Sequence, residues 1–179
     1  MQLGVFSPIL RLHSGHNPFN TREPWRFEPD FEGVMTTFLR LRHQLLPYLA
    51  TMNVRAHEGE PIVQPMYYDH PESPEAYDVP HQFMFGTELL VAPITSPRDP
   101  STGLARVTAW LPEGTWIDVF TGVRYAGNRM LHLHRDLESI PVPSGSHAVT
   151  RPRPVDRSIG EVIGATSSSV PNMNWCGTS

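Results

Sequence analysis

Lysine is absent from this 179-residue chain, whose 14 basic residues are all arginine. With 19 prolines, that preference reads as the coding bias of a GC-rich genome and points to no partner. Positive charge is in short supply overall. The formal net charge of −4 gives no electrostatic case for nucleic acid or an anionic membrane. Cysteine occurs once, at Cys176, which excludes an internal disulfide framework and is compatible with a cytoplasmic location. No window approaches the roughly 20 consecutive apolar residues of a membrane-spanning helix. The first residues lack a charged stretch followed by an apolar core, so no secretory signal is legible. HExxH, paired CxxC, GxxxxGK(S/T), GxSxG and a GxGxxG after a strand are all missing, which removes the usual warrants for zinc, nucleotide and serine-nucleophile chemistry. The length suits one medium domain or two pieces of larger ones, and falls short of the about 250 residues of a complete α/β barrel.

What is present begins with Gly4-Val5-Phe6-Ser7-Pro8-Ile9-Leu10-Arg11-Leu12-His13-Ser14. Pro8 forbids a helix interior there. The apolar run Ile9 to Leu12 reads as a short buried strand that delivers His13 to the loop Ser14-Gly15-His16-Asn17-Pro18. The loop continues to residue 28 and carries Trp25 and Phe27, two large groups expected mainly to pack it down. A long helix is expected over 29–58. Val34, Phe38, Leu41, Leu45, Leu49 and Met52 recur at spacings of three and four on one face. Pro29 and Asp30 suit its start, Pro47 should kink it, and Gly59 should stop it. Strand, loop and covering helix form one unit of an α/β barrel, in which functional groups stand at the C-terminal ends of strands.

Near Gly59 the pattern changes to all-β. Residues 61–71 read as an edge or bulged strand because of their prolines. Leu89 to Ile94 is a continuous apolar run of strand length. Ala105–Leu111 and Thr115–Phe120, joined by Pro112-Glu113-Gly114, read as a hairpin. Met130–His134 and Ser139–Val142 complete a series of short strands suited to an antiparallel β-sandwich. From Pro143 the text has no sustained period and is rich in Ser, Pro, Gly and Arg, a disordered composition.

The spelling GVFSPILRLHS resembles the last barrel strand of glycoside hydrolase family 31, the α-glucosidase and α-xylosidase family. Glu23-Pro24-Trp25-Arg26, LRHQLLPYL at 41–49, the segment 61–71 and LPEGTW at 111–116 follow in that family's order. The resemblance covers roughly residues 2 to 142. It implies the last βα unit of a (β/α)8 barrel over 1–59 and an incomplete antiparallel β-sandwich over 60–142. The tail, 143–179, departs from the family pattern; a shifted reading frame or a degraded gene copy would produce such text.

The resemblance also implies retaining hydrolysis of α-glucosides or α-xylosides by two aspartates, which suits a chemistry built on paired carboxyl groups. Those aspartates lie on earlier barrel strands in the family, and nothing here matches either motif, so no catalytic residue is assigned and the chain alone is expected to be inactive. Asp69, Asp78 and Glu88 are expected to be solvated or loop-capping carboxylates. His13 aligns with the family's substrate-binding histidine, whose neutral ring offers one donor and one acceptor to sugar hydroxyls. Arg11 is expected to pair with an acidic neighbour. No cofactor or metal is expected: His13/His16 and His132/His134 have ligand-like spacing but no third ligand. The expected partner is an α-linked oligosaccharide, with oligomeric state undetermined. A non-catalytic β-sandwich carbohydrate-binding module and a non-functional gene product remain alternatives.

Overall fold

The structure is a computed structural model and describes residues 1–17 and 19–145. Two helices dominate its first third, α2 (Pro29–Gln44) and α3 (Leu46–His57). Pro29 occupies a first-turn position where a missing N–H costs nothing, and Asp30 and Glu32 complement the positive end of the helix dipole. Pro47 has no N–H to offer the preceding turn, and the helix breaks at Leu45 two residues before it. The expected apolar face is real across the break. Phe38, Leu49 and Met52 are buried, and Val34, Leu41 and Leu45 pack against them. At the far end, Gly59 has φ +98. Its N–H reaches Ala56 O at 3.2 Å, and the Glu60 N–H reaches Arg55 O at 3.0 Å, the paired bonds of a glycine-terminated helix.

The N-terminal expectation is corrected. Gln2–Val5 forms a short helix, α1, and no strand occupies 9–12. Ile9 is 82% exposed and Leu12 40%. A strand needs neighbours for its N–H and C=O groups, and among the described residues none lies beside this run. The Arg42 guanidinium substitutes in part. It donates to the carbonyls of Val5 at 2.7 Å, Ser7 at 2.5 Å and Pro8 at 2.8 Å, and so ties the segment to α2.

The remainder is built from short antiparallel strands. They are β1 (Val63–Pro65), β2 (Phe83–Phe85), β3 (Leu89–Val91), β4 (Ala105–Leu111), β5 (Thr115–Asp118), β6 (Arg124–Ala126), β7 (Arg129–Arg135) and β8 (Pro143–Gly145). One sheet has the order β1-β2-β3-β8-β5-β6, and β4 pairs with β7 in a second. The segment expected as a strand over 61–71 yields only β1 before turning into a helix, α4 (Met66–Asp69). Ser139–Val142 forms no strand, although Ile140 and Val142 are buried. The disordered composition from 143 does not extend to Pro143–Gly145, since β8 sits between β3 and β5; residues 146–179 lie outside the described residues.

The expected hairpin at 105–120 is also corrected. β4 and β5 lie in different sheets, and the seven-residue ladder of β4 is with β7, from Ala105↔Arg135 to Leu111↔Arg129. Pro112-Glu113-Gly114 is a corner rather than a hairpin turn. It is held by Trp116 Nε1 donating to Pro112 O at 2.9 Å and Gly127 N donating to Gly114 O at 2.8 Å. The aromatic ring of Trp116 is 1% exposed, as expected for a core residue.

Two apolar clusters result. Val5, Phe6, Phe38, Leu49 and Met52 meet Phe85, Val91, Ile140 and Val142 in one. Met84, Leu90 and Trp116 meet Ala109, Leu111 and Leu133 of the second sheet in the other. Polar links between the sheets are buried. Gln82 grips Trp110 at both ends, donating from Nε2 to its O at 2.7 Å and accepting its N–H at 2.8 Å. Asp118 Oδ2 accepts from Arg135 at 2.7 Å, while Oδ1 takes the N–H groups of Phe120 and Thr121.

Candidate functional site

His13 lies in irregular chain after α1 and is exposed. Its position depends on two anchors. Upstream, Arg42 holds the carbonyls of residues 5, 7 and 8. Downstream, Asn17 Oδ1 accepts the Phe19 N–H at 2.9 Å and Asn17 O accepts the Asn20 N–H at 3.0 Å, an Asx-type turn that reverses the chain. Within this turn is a shallow hollow of about 240 Å³, lined by Leu12, Ser14, His16, Asn17, Arg22 and Glu23 among others. Glu23 Oε2 is buried there without a hydrogen-bond partner. The hollow offers donors and acceptors of the kind that bind hydroxyl-rich ligands.

Trp25 stands in a single 3-10 turn, Pro24–Arg26, and is 67% exposed. Phe27 is 38% exposed. The expectation that they pack the loop is therefore not met among the described residues. Arg11 is exposed and makes no ion pair there. Asp69 and Asp78 are exposed. Glu88 is not simply solvated: it is partly buried, lies 3.8 Å from Arg55 Nη1, and has Oε2 buried without a hydrogen-bond partner. Beside it, the Tyr48 hydroxyl donates to Phe85 O at 2.7 Å. Burial, reinforced by the Glu88 charge, pushes the Tyr48 phenol well above its ordinary range, so it remains a neutral donor. This cluster joins α3 to the β2–β3 turn and is structural. His132 and His134 share the outer face of β7, and among the described residues no group of three His, Cys, Asp or Glu converges. No helix among those residues is long and apolar enough to cross a membrane. Cys176 lies outside them.

The sequence missed Arg42 as the residue that fixes the His13 segment. Its only visible signal was a charge placed off the apolar face of α2, which does not disclose the carbonyls it serves.

The His13 loop leads into α2 and α3, and these run on into the antiparallel β region. Residues 1–52 match the glycosyl hydrolases family 31 TIM-barrel domain, and residues 59–145 match the glycosyl hydrolase family 31 C-terminal domain. The chain belongs to glycoside hydrolase family 31. It is similar to alpha-glucosidase 2 of Bacillus thermoamyloliquefaciens, 36% identical over 143 residues, which are 79% of this chain and 17% of that protein. Among solved structures it resembles a GH31 alpha-xylosidase from a soil metagenome complexed with xylose, with TM-score 0.69 and 32% identity over 83% of this chain and 24% of that one. It also resembles the cycloalternan-degrading enzyme from Trueperella pyogenes in complex with isomaltose, with TM-score 0.71 and 30% identity over 82% of this chain and 22% of that one. The chain thus spans about a fifth of the length of these relatives.

Proposed function

We propose that this chain is the C-terminal part of a retaining α-glycoside hydrolase: the end of the catalytic barrel, followed by the β-sandwich that the two antiparallel sheets form. The observation that carries this reading is the order of the family matches, barrel over 1–52 and C-terminal domain over 59–145, across one continuous core. The substrate is an α-linked glucoside or xyloside, as the names of the similar proteins indicate. The two carboxyl groups of the retaining mechanism, about 5–5.5 Å apart in such enzymes, lie outside these 179 residues. His13 contributes hydrogen bonds to sugar hydroxyls beside the scissile bond, and the site needs no metal or organic cofactor.

Two experiments test this. The 179-residue chain, assayed with aryl α-glucoside and aryl α-xyloside, should give no turnover above buffer; turnover would place catalytic carboxylates within it. Residues 1–145 grafted in place of the corresponding segment of the Bacillus α-glucosidase should support hydrolysis. In that chimera His13→Ala should lower kcat/KM by about tenfold to a hundredfold, the loss of one or two hydrogen bonds in a desolvated site. Unchanged kinetics would remove His13 from the substrate site.

A second reading, sugar binding without catalysis, is favoured by one observation. Tyr67 and Tyr77 stack at 5.3 Å with ring planes 10° apart, and both are about half exposed. Their outer faces are the kind of surface on which sugars stack. Glycan-array binding lost in Tyr67→Ala would support it.

A further inference from the structure

The outer face of the β4–β7 ladder carries a feature that the glycosidase reading does not use. Along it the cross-strand pairs Arg106↔His134 and Thr108↔His132 face outward, with Thr108 Oγ1 and His132 Nδ1 3.0 Å apart. The loop 95–104 folds back over this face. Ser96 Oγ donates to Arg106 O at 2.7 Å, and the Asp99 N–H donates to Leu104 O at 2.8 Å. Gly103, at φ +71, completes the return with its N–H on Asp99 O at 2.8 Å. Between loop and ladder lies an open groove of about 580 Å³, lined by Ser96, Arg98, Asp99, Arg106, Thr108 and His134 among others. That volume is ordinary for a small-molecule site.

Its chemistry is asymmetric. In a chain of net charge −4, the groove gathers two guanidinium groups against one carboxylate. The carboxylate stays charged, so the groove keeps one net positive charge, and one of its two oxygens is held by the loop itself. Asp99 Oδ1 accepts from Ser101 Oγ at 2.6 Å and Ser101 N at 2.7 Å, bonds that hold its carboxyl below the usual carboxylate range and fix it in the loop. The guanidinium groups of Arg98 and Arg106 have no ion-pair or hydrogen-bond partner among the described residues. A planar guanidinium fork matches an oxyanion in geometry as well as charge. The groove lining contains no Trp, Tyr or Phe, so a neutral sugar would find no aromatic platform.

We propose that this groove binds a small oxyanion, either the carboxylate of an acidic sugar or a phosphate, held by Arg98 and Arg106 with His134 beside them. The site shares no lining residue with the hollow after His13 and does not depend on the glycosidase reading.

The test is titration of the full 179-residue chain at constant ionic strength with inorganic phosphate, glucuronate or glucose, followed by amide chemical shifts. Saturable shifts confined to residues 96–108 and 132–134 are expected with phosphate, glucuronate or both, and none with glucose. Which of the two anions binds identifies the source of the oxyanion. Arg98→Gln and Arg106→Gln should each weaken binding about tenfold, the loss of one charge-assisted contact, without moving the thermal midpoint, because both side chains are exposed. Arg124→Gln, an exposed arginine on β6, should leave affinity unchanged. The proposal fails if neither anion shifts these amides, if glucose binds as well as glucuronate, or if Arg124→Gln weakens binding as much as Arg106→Gln.

Discussion

Gly86 and Gly59 separate two costs that a glycine can avoid. Both have positive φ, +68 and +98. A Cβ at Gly59 would meet nothing within 4 Å, whereas one at Gly86 would collide with the Tyr48 hydroxyl and crowd Met52 Sδ at 2.6 Å. Gly59→Ala should therefore cost only the backbone term, about 1 kcal/mol, and Gly86→Ala about 3 kcal/mol or more, because the Tyr48 hydrogen bond to Phe85 must also break. Urea unfolding of the two variants measures the difference, and equal losses would refute the steric argument. A second residue-scale consequence concerns acid. His70 is partly buried, its ring 5.2 Å from Trp110 in an edge-on contact, and burial lowers its pKa while Asp69 opposes the shift. The folded state thus holds the proton less tightly than the unfolded chain. The contribution of His70 is fully present above the unfolded value of about 6.5 and declines as pH falls from there toward the lowered folded value. His70→Gln should flatten the thermal midpoint between about pH 7 and pH 5 relative to the parent. Little of this was readable beforehand. The sequence named Gly59 as a stop because a helix visibly ended there, but Gly86 and His70 acquire their roles only from side chains distant in the chain.

At the scale of elements, periodicity succeeded where an element supplies its own hydrogen bonds and failed where a partner decides. The helical stretch 29–57 was legible because helix bonding is local, although it was expected as one helix kinked at Pro47 and is two, α2 and α3, while the short α1 and α4 were not foreseen. The apolar run 9–12 was read as a strand, but a strand's ladder belongs to its neighbours, and Arg42 serves this segment instead. Likewise β4 and β5 looked like a hairpin because they are adjacent in sequence, whereas the complementary alternation of β7, Met130 to His134, was the real partner of β4. His13 was singled out only through resemblance, and the hollow beside it is lined by its neighbours Leu12 and Ser14 and not by His13 itself. Arg42→Ala should cost about 1–2 kcal/mol, the range for hydrogen bonds from a charged donor at a partly exposed site. It should also raise hydrogen-exchange rates selectively in residues 2–8, while α3 and the β region keep their protection. The link between sheets makes a sharper case. Asp118 is 1% exposed and binds Arg135 as well as two backbone N–H groups. Arg135→Met alone should cost about 3–5 kcal/mol, since it strands a buried carboxylate. Adding Asp118→Asn, which removes the charge and can still accept the loop N–H groups, should recover part of that loss in a double-mutant cycle.

For the molecule as a whole, the two family regions are not separable bodies. Phe38, Leu49 and Met52 from the barrel-end helices bury themselves against Phe85, Val91, Ile140 and Val142 of the β region. Each such side chain contributes about 1.5–3 kcal/mol by leaving water, a large share of the 5–15 kcal/mol that stabilises an ordinary domain. The cluster also recruits Val5 and Phe6, joined edge-on to Phe85 at 5.9 Å between ring centres. Residues 1–145 should therefore unfold in one transition, with helical circular dichroism and tryptophan fluorescence changing together, since Trp110 and Trp116 report on the β region while most of the helix lies in 29–57. Removing residues 1–57 uncovers the apolar face formed by Phe85, Val91 and Val142. The shortened chain should bind a hydrophobic dye and lose the sharp transition, even though all eight strands are retained. Two resolved transitions in the longer chain, or a sharp transition in the shorter one, would show instead that the β region is stabilised by its second cluster alone, with Trp116, Leu90 and Leu133 sufficient as a core.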